Sequence, residues 1–169
     1  MIKTDNYDMV IGIDPDVDKN GVAILYPHTK DITTHQMTFP ELVGCLLQLR
    51  ARSDANPGLS MVVVVEAGYL NLSNWHAKGK STKIAAAIGN HTGRNHQVAR
   101  LIIQMAHSYG LDVVEKSPLR KCWKGKDGKI THEELAAFTG LVDRNNQEER
   151  DAALIAWNFA GLPIVIKPK

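Results

Sequence analysis

Apolar residues run from Met9 to Ile13 and stop at Asp14, and after a polar turn a second run covers Gly21 to Tyr26. Pro15, Asp16, Asp18 and Asn20 cluster between them, which is the turn chemistry that joins neighbouring strands in a hairpin. Residues 31–38 alternate and are rich in β-branched side chains, giving a third strand. Leu42, Val43, Leu46, Leu47 and Leu49 then recur at helical spacing up to Arg50, with Pro40 where a helix begins. Residues 61–66, MVVVVE, are apolar until the last, the mark of a strand covered on both faces. A long helical pattern from Lys83 to Tyr109 carries Gly89 and Gly93, which mark a break or a close contact, and residues 111–115 give a fifth strand. Past the basic loop Leu119–Lys129, a helix over 132–140 has Thr131 as N-cap, Glu134 as its capping-box partner and Gly140 as its end. A last helix, 147–159, sets Ala152, Ala153, Ile155 and Ala156 on a close-packing face. The order βββαβαβαα predicts an α/β domain with a five-stranded mixed sheet. It combines a three-strand antiparallel meander with parallel strands reached by right-handed crossovers, and helices flank it.

A chain of 169 residues suits one such domain, so a single folded unit over 1–169 is expected. Cys45 and Cys122 stand far apart without metal-ligand spacing, which points to reduced thiols and away from structural zinc. Neither a membrane-length apolar run nor a signal-peptide layout is present, so a cytoplasmic location is the expectation, without a membrane partner. The net charge of +2 conceals a division: between Trp75 and His132 eleven Lys/Arg face three Asp/Glu, an excess of eight that leaves −6 elsewhere. A basic middle between acidic flanks suits a protein that grips a polyanion and holds divalent metal against it.

The acids stand at informative places. Asp14 and Glu66 each close an apolar strand, where a charge is costly to desolvate unless paired or liganded. Glu148, Glu149 and Asp151 open the last helix, and Glu148 and Asp151, three apart, share a face. Acids in a first helical turn also suit the macrodipole alone, so the weight lies in the combination. Gly12-Ile13-Asp14-Pro15 followed by Gly21-Val22-Ala23, then Val65-Glu66, then Arg150-Asp151-Ala152-Ala153, resembles the RuvC family of Holliday-junction resolvases in order and spacing over nearly the whole chain.

The resemblance implies a ribonuclease H-like fold and paired, symmetric nicking of four-way DNA junctions by a homodimer using Mg²⁺, with Mn²⁺ as a substitute. Asp14, Glu66, Glu148 and Asp151 would be the catalytic metal ligands. Two hard, oxygen-seeking ions held about 4 Å apart would activate water and stabilise the leaving oxygen. The family generally has Asp where Glu148 stands, which leaves Glu149 as an alternative third acid. Asp16 replaces a Gly, so Asp16 and Asp18 are either solvated turn residues or tune metal affinity.

For DNA binding the resemblance implies Tyr69, three residues past Glu66, as an aromatic that stacks on unpaired bases, worth about 1–3 kcal/mol per base; a partly buried loop aromatic is the alternative. Lys78, Lys80 and Lys83 follow in a segment that reads as a flexible basic loop. Arg120, Lys121, Lys124, Lys126 and Lys129 form a second basic cluster, with Lys121 or Arg120 nearest the family's lysine at the scissile phosphate and Lys129 at a second basic position. His91 and His96, five apart, lack helical metal spacing and read as helix-surface or DNA-facing residues. Neither a GxGxxG nor a Walker sequence occurs, so no nucleotide cofactor is expected. RNA:DNA hybrids, forks or flaps are alternative substrates, and a non-catalytic junction-binding protein is an alternative class.

Overall fold

The computed structural model describes residues 7–71 and 81–165. Five strands, β1 (Met9–Asp14), β2 (Asn20–Tyr26), β3 (Asp31–Met37), β4 (Met61–Glu66) and β5 (Val113–Lys116), form one sheet in the order β3-β2-β1-β4-β5. β1, β2 and β3 pair antiparallel, while β1 with β4 and β4 with β5 pair parallel. The expected meander and parallel half are both present. β5 begins two residues later than its apolar pattern suggests. Leu111 is buried, but its N–H bonds the Ala106 carbonyl at 3.0 Å, closing the preceding helix through Gly110 in the left-handed region (φ 71°).

Among the described residues, four α-helices accompany the sheet: α1 (Phe39–Ala55), α2 (Thr82–Ser108), α3 (His132–Thr139) and α4 (Gln147–Phe159). α1 continues past Arg50 because its tail is a solvated turn, where Arg50 Nε donates to Asp54 Oδ2 at 3.0 Å, and apolar spacing does not register such a turn. α2 is continuous through Gly89 and Gly93, and open space surrounds both, so neither marks a break or a close contact. Its buried residues, Ala99, Ile102, Ile103 and Ala106, all lie in its second half. α3 has the predicted capping box, and Gly140 ends it at φ 75°. No helix among the described residues is long and apolar enough to cross a membrane.

Strand periodicity sorts the core into two layers. Met9, Ile11 and Ile13 of β1 and Met61, Val63 and Val65 of β4 pack with α1 and α2 on one face. Val10, Val62 and Val64 pack on the other with Ala23, Leu25 and the interior side of α4. Asp14 and Glu66 continue this second set at period two, so both carboxylates belong to the α4 face.

Two glycines determine how closely α4 approaches that face. A Cβ on Gly12 would run into the backbone of Ala152 and lie 2.9 Å from the Ala156 nitrogen, and one on Gly21 would overlap the Glu148 carbonyl and lie 2.9 Å from the Glu149 nitrogen. Gly21 is also the cross-strand partner of Asp14. The sheet surface is therefore bare where α4 begins, and the helix answers with alanines at 152, 153 and 156, all fully buried. The consequence is positional: the first turn of α4 rests directly beside the end of β1.

Candidate active site

β1 and β4 run parallel with Ile13 opposite Val65, which makes Asp14 and Glu66 neighbours at the same end of adjacent strands about 4.8 Å apart. The first turn of α4 brings Glu148 and Asp151 to the same place. All four carboxylates line one cleft of about 610 Å³, together with Arg120, Lys121 and Lys129. Glu149 does not line it. Its carboxylate accepts the Asn146 N–H at 2.9 Å, while Asn146 Oδ1 accepts the Glu149 N–H at 2.9 Å. This capping box turns Glu149 outward and leaves Glu148, one position and about 100° earlier around the axis, facing the acids.

The electrostatics show how crowded the negative charge is. Burial, then the carboxylates of Glu66, Asp151 and Glu148, holds Asp14 well above its ordinary range, with Lys129 opposing. Glu66 is pushed up to about 7 by burial and then by Asp151, against the pull of Lys129 and Lys121. Lys129 is the internal counter-ion: its Nζ donates to Asp151 Oδ2 at 3.1 Å. Burial alone would lower its pKa, but Asp151, Asp14 and Glu148 outweigh that and raise it.

The loop that delivers Lys129 is tightly built. Trp123 N–H bonds the Gly128 carbonyl at 3.0 Å and Gly125 N–H bonds the Lys129 carbonyl at 2.9 Å, with the reversal made by Asp127 and Gly128 at positive φ. The buried Glu134 carboxylate accepts the N–H groups of Lys124 at 3.2 Å and Thr131 at 3.1 Å, fixing the loop to α3. Arg120 and Lys121 are thereby presented at the cleft rim, both exposed.

The remaining candidates divide. Lys124 and Lys83 are exposed but do not line the cleft, and Lys78 and Lys80 lie outside the described residues. Tyr69 sits in a 3-10 turn, Gly68–Leu70, just past Glu66. It is half-buried rather than free. Its hydroxyl donates to Glu115 Oε2 at 2.7 Å, the Arg100 guanidinium lies 4.3 Å over its ring and His96 meets it edge-on at 5.9 Å. Burial and the Glu115 bond push the phenol up to about 12. Asp16 lines the cleft as a tie. Its Oδ1 accepts the Asp18 N–H at 2.9 Å and its Oδ2 accepts Asn95 Nδ2 at 3.1 Å, fastening the β1–β2 turn to α2. Asp18 is exposed and lies away from the cleft.

Four cleft residues come from α2: His91, Thr92, Asn95 and His96. At 100° per residue they fall at 0°, 100°, 40° and 140°, a continuous polar stripe. The five-residue spacing of the histidines gives no warning of this shared face. Asn95, Thr92 and Gln147 carried no signal in the sequence that set them apart from surface residues.

No protein-family model and no curated protein sequence matches the chain. Among solved structures, RuvC of T. thermophilus in complex with a Holliday junction substrate superposes with a TM-score of 0.50 at 15% identity, over 92% of this chain and 95% of that one. The fold is ribonuclease H-like. A Thermus thermophilus RuvC structure is also similar, with 18% identity, coverage of 90% and 95% and a TM-score of 0.48. The large terminase nuclease of the thermophilic phage G20c matches with 13% identity, coverage of 91% and 85% and a TM-score of 0.34. The ribonuclease H-like sheet explains why acids from β1, β4 and α4, far apart in sequence, arrive at one end of the domain.

Donor chemistry is the test of whether this site suits a metal. The four carboxylates offer only hard oxygens, the kind that Mg²⁺ and Mn²⁺ take, and a lysine ammonium already neutralises them in part. Among the described residues, no three His, Cys, Asp or Glu side chains are gathered into a ready-made metal cage. The residues fit a divalent cation in kind.

Proposed function

We propose that this chain is a metal-dependent DNA endonuclease that binds a four-way junction as a homodimer and nicks two strands symmetrically. The observation that carries the reading is the meeting of Asp14, Glu66, Glu148 and Asp151 in one cleft whose rim bears Arg120 and Lys121. The RuvC that shares the fold was captured with a Holliday junction substrate, which supports a junction as the substrate here. Asp14, Glu66, Glu148 and Asp151 would hold Mg²⁺, two ions per site, with Mn²⁺ able to substitute. When bound, the metal supplies Lewis-acid activation of water and neutralises charge that develops on the phosphate.

The chain's own residues do the rest. Asp14 and Glu66 must lose the protons that burial and crowding favour before they can bind a cation. Lys121, close enough to Glu66 to lower its pKa, places a positive charge where a scissile phosphate would sit beside the acids. Arg120, with the lysines at 78, 80, 83 and 124, extends the positive field along the substrate. Stacking of Tyr69 on an unpaired base requires its release from Glu115 and Arg100. A homodimer, with α2 as its surface, would match a twofold enzyme to a twofold substrate.

The test incubates purified protein with end-labelled four-way junction, matched duplex, fork, flap and RNA:DNA hybrid, with Mg²⁺ or with EDTA. Paired nicks in the junction alone, lost in EDTA, are expected. Cutting of the hybrid, fork or flap in preference would replace the junction as substrate, and tight junction binding without any cutting would make the protein a binding module.

A further inference from the structure

Asp151 is held at both oxygens, and only one of its partners is an ion. Lys129 Nζ donates to Oδ2, while Gln147 Nε2, one helical turn earlier, donates to Oδ1 at 2.8 Å. A glutamine amide can turn over and offer its carbonyl instead, so something must fix its orientation. Arg150 does so. Its Nη2 donates to Gln147 Oε1 at 3.0 Å, its Nη1 to the Asn145 carbonyl at 2.6 Å and its Nε to the Ile130 carbonyl at 3.1 Å. With Nε and Nη1 of the planar guanidinium bonded to backbone carbonyls, Nη2 is held facing Gln147 and, carrying only N–H groups, accepts nothing there. A flipped amide would set N–H against N–H.

We propose that Gln147 is a positioning residue for Asp151, with Arg150 fixing its amide, so that Asp151 offers Oδ2 alone to a divalent cation. This rests on the metal-dependent reading above. The geometry predicts a division of labour: Gln147 keeps Oδ1, while Oδ2, now held by Lys129, is the oxygen that would be left for a divalent cation. The Ile130 carbonyl, which also faces Gln147 Nε2 at 3.4 Å, ties the same network to the loop that delivers Lys129. Partners that orient a ligand in this way are typically worth about 10–100-fold in metal affinity or activity.

The experiment titrates Mn²⁺ by electron paramagnetic resonance into full-length wild type, Asp14→Asn, Gln147→Met and Arg150→Lys, and measures kcat and KM for junction nicking on the same preparations. Gln147→Met keeps length and helix propensity but donates no hydrogen bond. Arg150→Lys keeps charge but lacks the fork, so it serves if the first variant folds poorly. Expected is Mn²⁺ affinity weakened about tenfold or more in both, with kcat lowered about 10–100-fold and KM within about twofold. A purely structural residue would lower the melting temperature and leave Mn²⁺ affinity and kcat unchanged, and that result would overturn the proposal. If wild type and Asp14→Asn bind Mn²⁺ equally, the metal site itself is refuted, and the proposal with it. If Asp14→Asn loses Mn²⁺ while Gln147→Met and Arg150→Lys retain it, only the role of Gln147 fails.

Discussion

Gly21→Ala adds one methyl group at the place where the first turn of α4 lies against β2. The added carbon would sit 2.9 Å from the Glu149 nitrogen and closer still to the Glu148 carbonyl, whereas ordinary carbon contacts begin at about 3.5 Å. Clearing the nitrogen requires a shift of about 0.6 Å, and clearing the carbonyl more than about 1 Å. Both obstacles are helix backbone, so no side-chain rotation relieves them, and α4 itself must move away from Asp14. Overpacking of this kind costs about 1–3 kcal/mol, offset by up to about 1 kcal/mol for replacing a strand glycine. A net loss of about 1–2 kcal/mol lowers Tm by roughly 2–8 °C in a chain of this size. The catalytic loss is larger, because a displacement near 1 Å of Glu148 and Asp151 from Asp14 costs on the order of 100-fold. Thermal denaturation followed by circular dichroism, with junction nicking assayed well below both transitions, separates the two effects. Gly44→Ala is the control: open space surrounds that position in α1, and a gain of about 0.5–1 kcal/mol is expected. Gly21→Ala protein with wild-type Tm and wild-type nicking would refute the claim that this glycine sets the position of the acidic helix.

Further outcomes follow from the same site. In metal-free protein Glu66 keeps its proton up to about 7 when folded and to about 4.5 when unfolded, so the folded state binds more protons across that window. The stability that Glu66 contributes is therefore full below about pH 4.5 and is lost as pH rises through 7, with Asp14 acting in the same direction. Calorimetry in EDTA should give a higher Tm at pH 5 than at pH 8, with the gap closing in Mg²⁺; a Tm that rises with pH contradicts this. Glu148→Gln should abolish nicking at nearly unchanged Tm, whereas Glu149→Ala should keep nicking and lose about 0.5–2 kcal/mol with its capping box, and reversed outcomes would exchange their roles. Lys129→Met should destabilise metal-free protein by roughly 1–3 kcal/mol, the scale for stranding part-buried charge. Mg²⁺ should recover most of that loss, and chemical denaturation with and without the ion reads both.

Much of the fold was legible because it rests on local pattern. The apolar runs closing at Asp14 and Glu66 became β1 and β4 at the expected residues, and α4 spans Gln147–Phe159 as its spacing indicated. The same period-two rule that makes a strand also assigns its final acid to a face, but the β1–β4 register that makes Asp14 and Glu66 neighbours lies outside that rule. What escaped depends on partners distant in the chain. That Glu148 and not Glu149 lines the cleft follows from Asn146 taking Glu149 as its cap partner. The resemblance makes Lys129 a DNA-binding residue at a second basic position, and only the reversal at Asp127 and Gly128 turns it in among the acids. Asp16 looked like a turn residue or a metal tuner, and its bond to Asn95, 79 residues away, made it a tie between elements. For Tyr69 the sequence leaves a base-stacking ring and a partly buried loop aromatic both open, and only the contacts with Arg100 and Glu115, 31 and 46 residues further on, show it held against α2 and β5.

Soaking crystals in Mn²⁺ and recording anomalous diffraction tests the central claim most directly. Peaks bounded by Asp14, Glu66, Glu148 and Asp151, with the Lys129 ammonium moved off Asp151, are predicted. Crystals that remain without a peak at these carboxylates under saturating Mn²⁺, or that bind the ion only elsewhere on the surface, would contradict it.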